Sequence, residues 1–366
     1  MKNSILFIPA LAAFLVGALI LSVDAGVSSS SIKKPSACSG CATSACVCTS
    51  ICACGADGYD YFAYAPSGVM GDHIHHKGGL MASYRYMFMS MQRNYDGDSQ
   101  ISDADARDDY MGSAAEMDMQ MHMLGVMYAP SDKLTLMLMS AYKESSMLNN
   151  MMGTTSKMRS SGWGDVTFSG FYSLYRAQAN SAHFGLGVSA PTGSIDQRMS
   201  NGARMGYPMQ LGSGTWDMKP SLTWIGQSGD WSYGSQVSAV IHLDENDNGY
   251  TLGDSAMLTS WINRRINDWS AVSIRLTGKS WGNVDGRDDE MPTIQMGPMM
   301  GQPMAAAVDP DARAGSSLDL SLGLSLWDTE TGARFAIEAG APIYQNLDGP
   351  QLGTEWFLSA GIQMAW

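Results

Sequence analysis

Methionines at every second position are the first feature of this chain that could do chemistry. The sequence holds 29 methionines, and three stretches alternate them with other residues. The alternating methionines are Met87, Met89, Met91, Met117, Met119, Met121, Met123, Met137 and Met139. Thioether sulfur is a soft, neutral ligand that suits Cu(I) or Ag(I) and discriminates against hard ions. Methionine is also a flexible filler of irregular apolar space, so packing, or the binding of small apolar molecules, stays open.

A second set of soft ligands lies near the N-terminus. All six cysteines fall in one short segment: Cys38, Cys41, Cys46, Cys48, Cys52 and Cys54. The two Cys-x-Cys pairs cannot easily close on themselves, because so short a ring strains a disulfide. They can converge on a shared Cu(I) or Zn(II). An even number of cysteines outside the cytoplasm also favours disulfides, so both states stay open.

Three of the six histidines of the chain form a third set, His73, His75 and His76. In an extended chain His73 and His75 lie on one side, where their imidazoles could hold a metal ion. An isolated histidine in a turn would carry no such meaning. The sequence places this cluster between the cysteine segment and the first methionine run.

The elements that must position these side chains are strands. From Leu80 onward, segments of about 10–14 residues alternate apolar and polar side chains between turn residues. We predict twelve strands, near 80–94, 117–129, 133–143, 163–177, 182–191, 214–226, 230–243, 250–264, 269–281, 316–327, 332–342 and 354–366. One face of each strand suits hydrocarbon and the other suits water, which is typical of a transmembrane barrel.

The connections between these segments give an independent indication. Short ones are predicted near 130–132, 177–181, 227–230, 266–268 and 328–331, and long ones near 95–116, 144–162, 192–213, 282–315 and 343–353. One connection on the long side, 244–249, is brief. Outer-membrane barrels have short periplasmic turns and longer extracellular loops. The last strand ends on Trp366, and chains that end in this way resemble substrates of the bacterial barrel-assembly machinery. The prediction is an all-β antiparallel transmembrane β-barrel of about twelve strands, embedded in outer-membrane lipid.

The arginines of the first strand decide which way the methionines point. Period 2 places Arg85 and Arg93 on the face of Met87, Met89 and Met91, opposite the aromatic side chains that begin with Tyr84. An arginine facing lipid at mid-bilayer costs about 2–4 kcal/mol in such barrels. We therefore predict that the methionines line the lumen.

The domain organisation follows from the composition of each part. Lys2, the apolar run that follows and the small residues near Ala25 predict a signal peptide over residues 1–25. Residues 26–79 then form a periplasmic Cys- and His-rich tail, and residues 80–366 form the barrel. The net charge of −13 argues against a nucleic-acid partner. No Ser/His/Asp motif, phosphate loop or HExxH sequence indicates an enzyme.

Three runs of this sequence resemble a known group of proteins. They are GDHIHHKGGLMASYRYMFMSMQRNYDG, MDMQMHMLGVMYAPSDKLTLMLM and SGWGDVTFSGFYSLYR. They are similar to Met-rich bacterial outer-membrane proteins, which are related to the barrels of the meta-pathway of phenol degradation. The Met-rich group often accompanies copper-resistance genes, which implies a copper role with periplasmic copper carriers as partners. The broader relatives imply uptake of hydrophobic aromatic compounds. The cysteine-rich tail departs from the pattern of the group.

The sequence therefore predicts an outer-membrane barrel that binds, and passes, soft metal ions. Cu(I) is the expected ion, held by the cysteines, the histidines and the methionine-lined lumen. A channel for small hydrophobic or aromatic compounds is the alternative.

Overall fold

A computed structural model describes residues 61–107, 110–151, 154–177, 179–295, 297–328 and 330–366. The predicted signal peptide and the six cysteines lie outside the described residues. No α-helix among the described residues is long and apolar enough to span a bilayer.

The described chain consists almost entirely of strands and loops. The strands are β1 Leu80–Gly97, β2 Ser99–Ile101, β3 Gly112–Ser131, β4 Leu134–Met151, β5 Thr154–Trp163, β6 Val166–Arg176, β7 Asn180–Ala190, β8 Asp217–Ser228, β9 Trp231–His242, β10 Tyr250–Thr251, β11 Ser255–Asn267, β12 Ser270–Trp281, β13 Asp285–Gly286, β14 Gly315–Asp328 and β15 Ala333–Ala365. Four single-turn 3-10 helices lie at Tyr61–Ala63, Asp105–Arg107, Tyr207–Met209 and Ala306–Val308.

Eleven of these strands close into an antiparallel barrel. The order β1-β3-β4-β6-β7-β8-β9-β11-β12-β14-β15 returns to its start because β15 also pairs with β1. The strand β2 pairs with the end of β1, and β5 pairs with the upper half of β4. Main-chain hydrogen bonds between Leu80 and the terminal Trp366 join the two ends of the barrel. The predicted all-β barrel is thereby confirmed.

The long strand β15 makes two of the crossings. Residues 333–347 pair with β14, and residues 347–365 pair with β1. Because both pairings are antiparallel, a ring of alternating directions closes only if β15 reverses between them. Gly349, with a φ of 66°, lies at this reversal and has the left-handed conformation that glycine adopts most readily. Counted as crossings, the barrel has the twelve that the sequence predicts.

Two of the predicted long loops are strand. The segment 144–162 is the end of β4 and most of β5, and 343–353 lies inside β15. Above the apolar belt both faces of these segments carry many polar side chains, so the alternation that marks a strand in sequence is lost. Main-chain pairing continues there and forms hairpins that extend the barrel wall.

The outer surface carries a belt of apolar and aromatic side chains. On β14 the outward side chains are leucines, and Leu322 is 61% exposed. Similar exposed residues recur around the ring, among them Leu138, Phe168, Leu222, Val237, Ile274 and Ile362. A closed sheet with such a belt satisfies its main-chain hydrogen bonds internally and presents hydrocarbon-like side chains to lipid.

The described end of the N-terminal tail, residues 61–79, lies inside the barrel and not outside it. Carbonyl groups of this segment accept hydrogen bonds from side chains on the barrel wall: Ser232 to Phe62, Asn263 to Tyr64, Arg334 to Ala65, Arg85 to Val69, Gln236 to Met70 and His183 to Gly71. Irregular backbone is tolerated at this depth only where such partners satisfy it. We call residues 61–76 the plug.

Candidate functional site

The strand register shows that the methionines of the first two long strands share one face. Met87 lies opposite Met121, Met89 opposite Met119, and Met91 opposite Met117. Directly opposed residues in an antiparallel pair point to the same side. Four of these side chains, Met89, Met91, Met117 and Met119, line an internal cavity of about 550 Å³.

The aromatic residues between these methionines face outward. The side chain of Tyr84 is 39% exposed. Phe88 packs on the exposed Trp356, with 4.9 Å between the ring centroids. The methionines therefore face the lumen, as the sequence predicts.

The upper half of the lumen contains a methionine row that crosses four strands in register. Met91 lies opposite Met117, Met117 opposite Met147, and Met147 opposite Met158. Opposed side chains have Cβ atoms about 4.5–5.5 Å apart, so adjacent thioethers can approach one ion. The loop between β7 and β8 folds inward and adds Met205 and Met209, which are buried against the row. We call these six residues the upper methionine cluster.

A shorter row lies nearer the periplasmic end. Met81 is opposite Met127, and Met127 is opposite Met137. All three are buried, and they pack with Phe62 and Tyr64 of the plug. We call Met81, Met127 and Met137 the lower methionine row. Met123 and Met139 continue the same face between the two groups and line a small cavity with the lower row.

The opposite wall of the lumen is hydroxyl- and amide-lined. Thr223, Gln236, Thr259 and Thr277 form a register row across β8, β9, β11 and β12 and are buried. Within it, Gln236 donates to Thr223, and the hydroxyls of Thr259 and Thr277 are 2.9 Å apart. The methionine rows are thus confined to β1, β3, β4 and β5 among the strands. A filler residue has no reason to be sorted in this way.

Four of the five charged residues that line the larger cavity, all but Arg313, have side chains in an ion pair or a hydrogen bond. Lys279 forms an ion pair with Asp319 at 2.8 Å. Lys143 donates to the carbonyl of Gln210, and Asp165 accepts from the main chain of the inward loop. Among the described residues, no group of three His, Cys, Asp or Glu side chains could hold a metal ion. Thioethers are the abundant ligands in this lumen.

The structure brings two of the three predicted histidines together and leaves the third apart. His76 is largely exposed, with its Nδ1 atom 3.7 Å from a carboxylate oxygen of Asp132. His73 and His75 are buried in the plug, and their ring centroids are 4.8 Å apart. Burial lowers the pKa of His75 to about 3, with a further contribution from His73, so His75 is neutral at physiological pH.

Several residues of the site are absent from the sequence prediction. Met81 and Met127 have the parity of the predicted methionines, and Met147 and Met158 continue the row into the extended hairpin. Period 2, extended to the full strands, would have found these four. Met205 and Met209 give no such signal, because only the path of the loop brings them into the lumen.

Comparison with solved structures defines the class of fold as that of an outer-membrane β-barrel. An outer-membrane channel from Pseudomonas putida F1 superposes with a TM-score of 0.59 at 13% identity, covering 81% of this chain and 98% of that chain. The translocator domain of the autotransporter NalP from Neisseria meningitidis covers 79% of this chain and 89% of its own, at 7% identity and a TM-score of 0.40. The first of these similarities shows the barrel fold.

A family profile then gives the particular family. Residues 133–332, more than half of the chain, match the family described as "Putative MetA-pathway of phenol degradation". The chain belongs to this family. The methionine-rich strands β1 and β3 precede the matched residues. No curated protein matches the sequence.

Proposed function

We propose that this outer-membrane channel binds soft metal ions, Cu(I) above all, on its methionine wall and passes them along the lumen. The observation that carries the proposal is the register of the upper methionine cluster, where four thioethers from four strands share one row beneath two more from a loop. The methionine wall has little affinity for hard ions, because neutral thioether sulfur is a soft ligand.

Spacing supports movement of the ion as well as binding. Side chains at every second residue of a strand stand about 6.5–7 Å apart. The sulfurs between the upper methionine cluster and the lower methionine row therefore form steps of similar length. Weak sites in series let an ion move on instead of trapping it. Passage requires displacement of the inward loop and of the plug, since both lie in the lumen. The cysteines of residues 38–54 would exchange the ion with periplasmic copper carriers.

Leucine substitutions in the upper row test this proposal. Leucine keeps apolar volume and removes the sulfur, so the variant M117L/M147L should retain the fold. We expect the affinity for Ag(I), measured by calorimetry, to fall about tenfold or more, which corresponds to about 1.4 kcal/mol. Copper tolerance of cells that carry the variant should change with it.

The matched control is M218L/M300L, because Met218 lies on the opposite side of the barrel and Met300 is 70% exposed on a loop. This variant should bind Ag(I) like the unmodified chain. If M117L/M147L also binds normally and copper tolerance is unchanged, the proposal is wrong.

The cavity also supports a second candidate, a channel for small hydrophobic or aromatic compounds. Its lining includes Leu252, Trp281 and Phe357 as well as methionines, and a volume of about 550 Å³ lies in the range of small-molecule pockets. Uptake of a labelled monoaromatic compound by cells that express the protein tests this. If the channel has this function, uptake should survive M117L/M147L, because leucine preserves the apolar lining, and should be insensitive to Ag(I).

A further inference from the structure

One imidazole nitrogen in the plug has the setting of a metal ligand. His73 Nδ1 lies 2.8 Å from Asp72 Oδ1, and Asp72 Oδ2 accepts from the main-chain N–H of Ala65 at 2.7 Å. An ionised carboxylate only accepts, so the proton of the imidazole resides on Nδ1. A metal-binding histidine commonly donates its other ring N–H to a carboxylate in this way.

The other nitrogen, His73 Nε2, is buried and has no hydrogen-bond partner within the described part of the chain. The whole residue is 8% exposed. The ring is held from one side by Tyr64, which stacks on it with 3.9 Å between centroids. Buried polar atoms are rarely left without a partner, and one that has none is a candidate for binding an ion or a water molecule.

His73 lines a small cavity whose walls also carry methionine thioethers. The cavity, of about 40 Å³, is bounded by His73, by the lower methionine row and by Met70 of the plug. A cavity of about 10–15 Å³ is enough for one water molecule, so this one has room for a bare metal ion. The three methionines of the lower row are 2%, 3% and 9% exposed, so water does not compete freely for the site.

We propose that His73 Nε2 and two or three thioethers of the lower methionine row form a Cu(I) site that joins the plug to the barrel wall. The proposal rests on the proposed function for its choice of ion, but its residues are separate from the upper methionine cluster. Three- and four-coordinate sets of imidazole and thioether suit Cu(I) and Ag(I). An ion bound there holds the plug against β1, β3 and β4.

The charges around the cavity select the valence of the ion. Arg85 and Arg334 also line it, and Asp72 is the carboxylate on the same lining. Both guanidiniums already donate to plug carbonyls, Arg85 to Val69 at 3.1 Å and Arg334 to Ala65 at 2.7 Å. Two guanidiniums and one carboxylate give the lining a net positive charge. This charge repels a divalent ion twice as strongly as a monovalent one. The site should therefore accept Cu(I) or Ag(I) and reject Cu(II) and Zn(II).

X-ray absorption at the copper edge tests the site, because it separates nitrogen from sulfur ligands. The protein is the full chain with its six cysteines replaced by serine and with M117L/M147L, loaded anaerobically with one equivalent of Cu(I). We expect one nitrogen and two or three sulfur ligands. H73F should lose the nitrogen and weaken binding about tenfold or more. H76A, which removes the exposed imidazole, should change neither.

A second variant covers the case in which H73F disturbs the plug. M127L/M137L leaves the imidazole and the apolar volume in place, and should lose sulfur ligands while the barrel remains folded. Nitrogen ligation that persists in H73F would overturn this site and leave the upper methionine cluster unaffected. Sulfur-only ligation of Cu(I) in the test protein that keeps His73 would do the same. The unmodified full chain should bind more Cu(I) than its cysteines hold. If it does not, both this site and the proposed function are wrong.

Discussion

At the scale of single residues, the pair formed by Arg275 and Glu338 links the barrel wall to the plug. Arg275 Nε donates to Glu338 Oε1 at 2.8 Å, and the main-chain N–H of Gly68 donates to Glu338 Oε2 at 2.9 Å. Glu338 is 1% exposed. Removing one partner of a buried pair leaves an uncompensated charge, so E338A should destabilise the protein by about 3–5 kcal/mol. Urea unfolding in detergent, followed by tryptophan fluorescence, measures the loss.

The double variant R275M/E338M is the control for this prediction. Because it removes both charges and keeps apolar volume, it should cost less than E338A alone. Equal losses in the two variants would show that lost packing, and not the unpaired guanidinium, sets the cost.

The same scale shows where sequence reasoning about the site succeeds and where it ends. The inward direction of Met87, Met89 and Met91 follows from sequence, because Arg85 shares their parity and cannot face lipid cheaply. The proximity of His73 to Met137 does not follow, since 64 positions separate them and only the plug's path brings them together. Local spacing groups His73 with His75 and His76, whereas in the structure His73 is buried and His76 is largely exposed.

At the scale of elements, the structure distinguishes strand segments that cross lipid from those that rise above it. Leu322 on β14 lies in the apolar belt, whereas Leu148 on β4 lies opposite Lys157 and Glu116 in the extended hairpin. L322R should cost about 2–4 kcal/mol, and L148R about 0–1 kcal/mol. Folding equilibria in lipid vesicles measure both. Equal costs would mean that the hairpin lies within the bilayer.

Strand positions could be predicted because burial on one face imposes period 2 on the sequence. All twelve predicted segments contain a crossing strand, including the terminal one that ends beside Trp366. The prediction missed β5 and the middle of β15, because many polar side chains interrupt the apolar alternation there. The inward face of the β4–β5 hairpin still carries Met147 and Met158, which pack in the upper methionine cluster.

At the scale of the whole molecule, a buried arginine ties the extracellular loops together over the lumen. Arg204, on the inward loop that carries Met205 and Met209, pairs with Asp288 at 3.0 Å and Glu290 at 2.7 Å from the loop after β12. It also pairs with Asp196 on its own loop. This clamp fixes the loop that covers the upper methionine cluster.

The clamp should release in acid. The hydrogen bond from Arg204 holds the pKa of Asp196 below its ordinary 3.8, and the hydrogen bond from Arg198 holds the pKa of Glu290 below its ordinary 4.5. Folding lowers both pKa values. The clamp therefore contributes its full stability above the ordinary pKa values, and this stability is lost as the pH falls through the lower pKa values of the folded protein. The loop should therefore loosen below about pH 4 and not at pH 6.

A cysteine introduced at Met209, which is fully buried, reports this loosening. In a chain whose native cysteines are replaced by serine, M209C should react slowly with a pyridyl disulfide at pH 6 and rapidly below pH 4, since this reagent remains active in acid. In the M209C background, R204M should react faster at pH 6 than M209C alone, because Asp196 and Asp288 lose their cation and Glu290 keeps only Arg198. If M209C is equally protected across the range, the packing of Met205 and Met209 against the methionine row holds the loop by itself. Access to the cluster would then depend on ligand and not on pH.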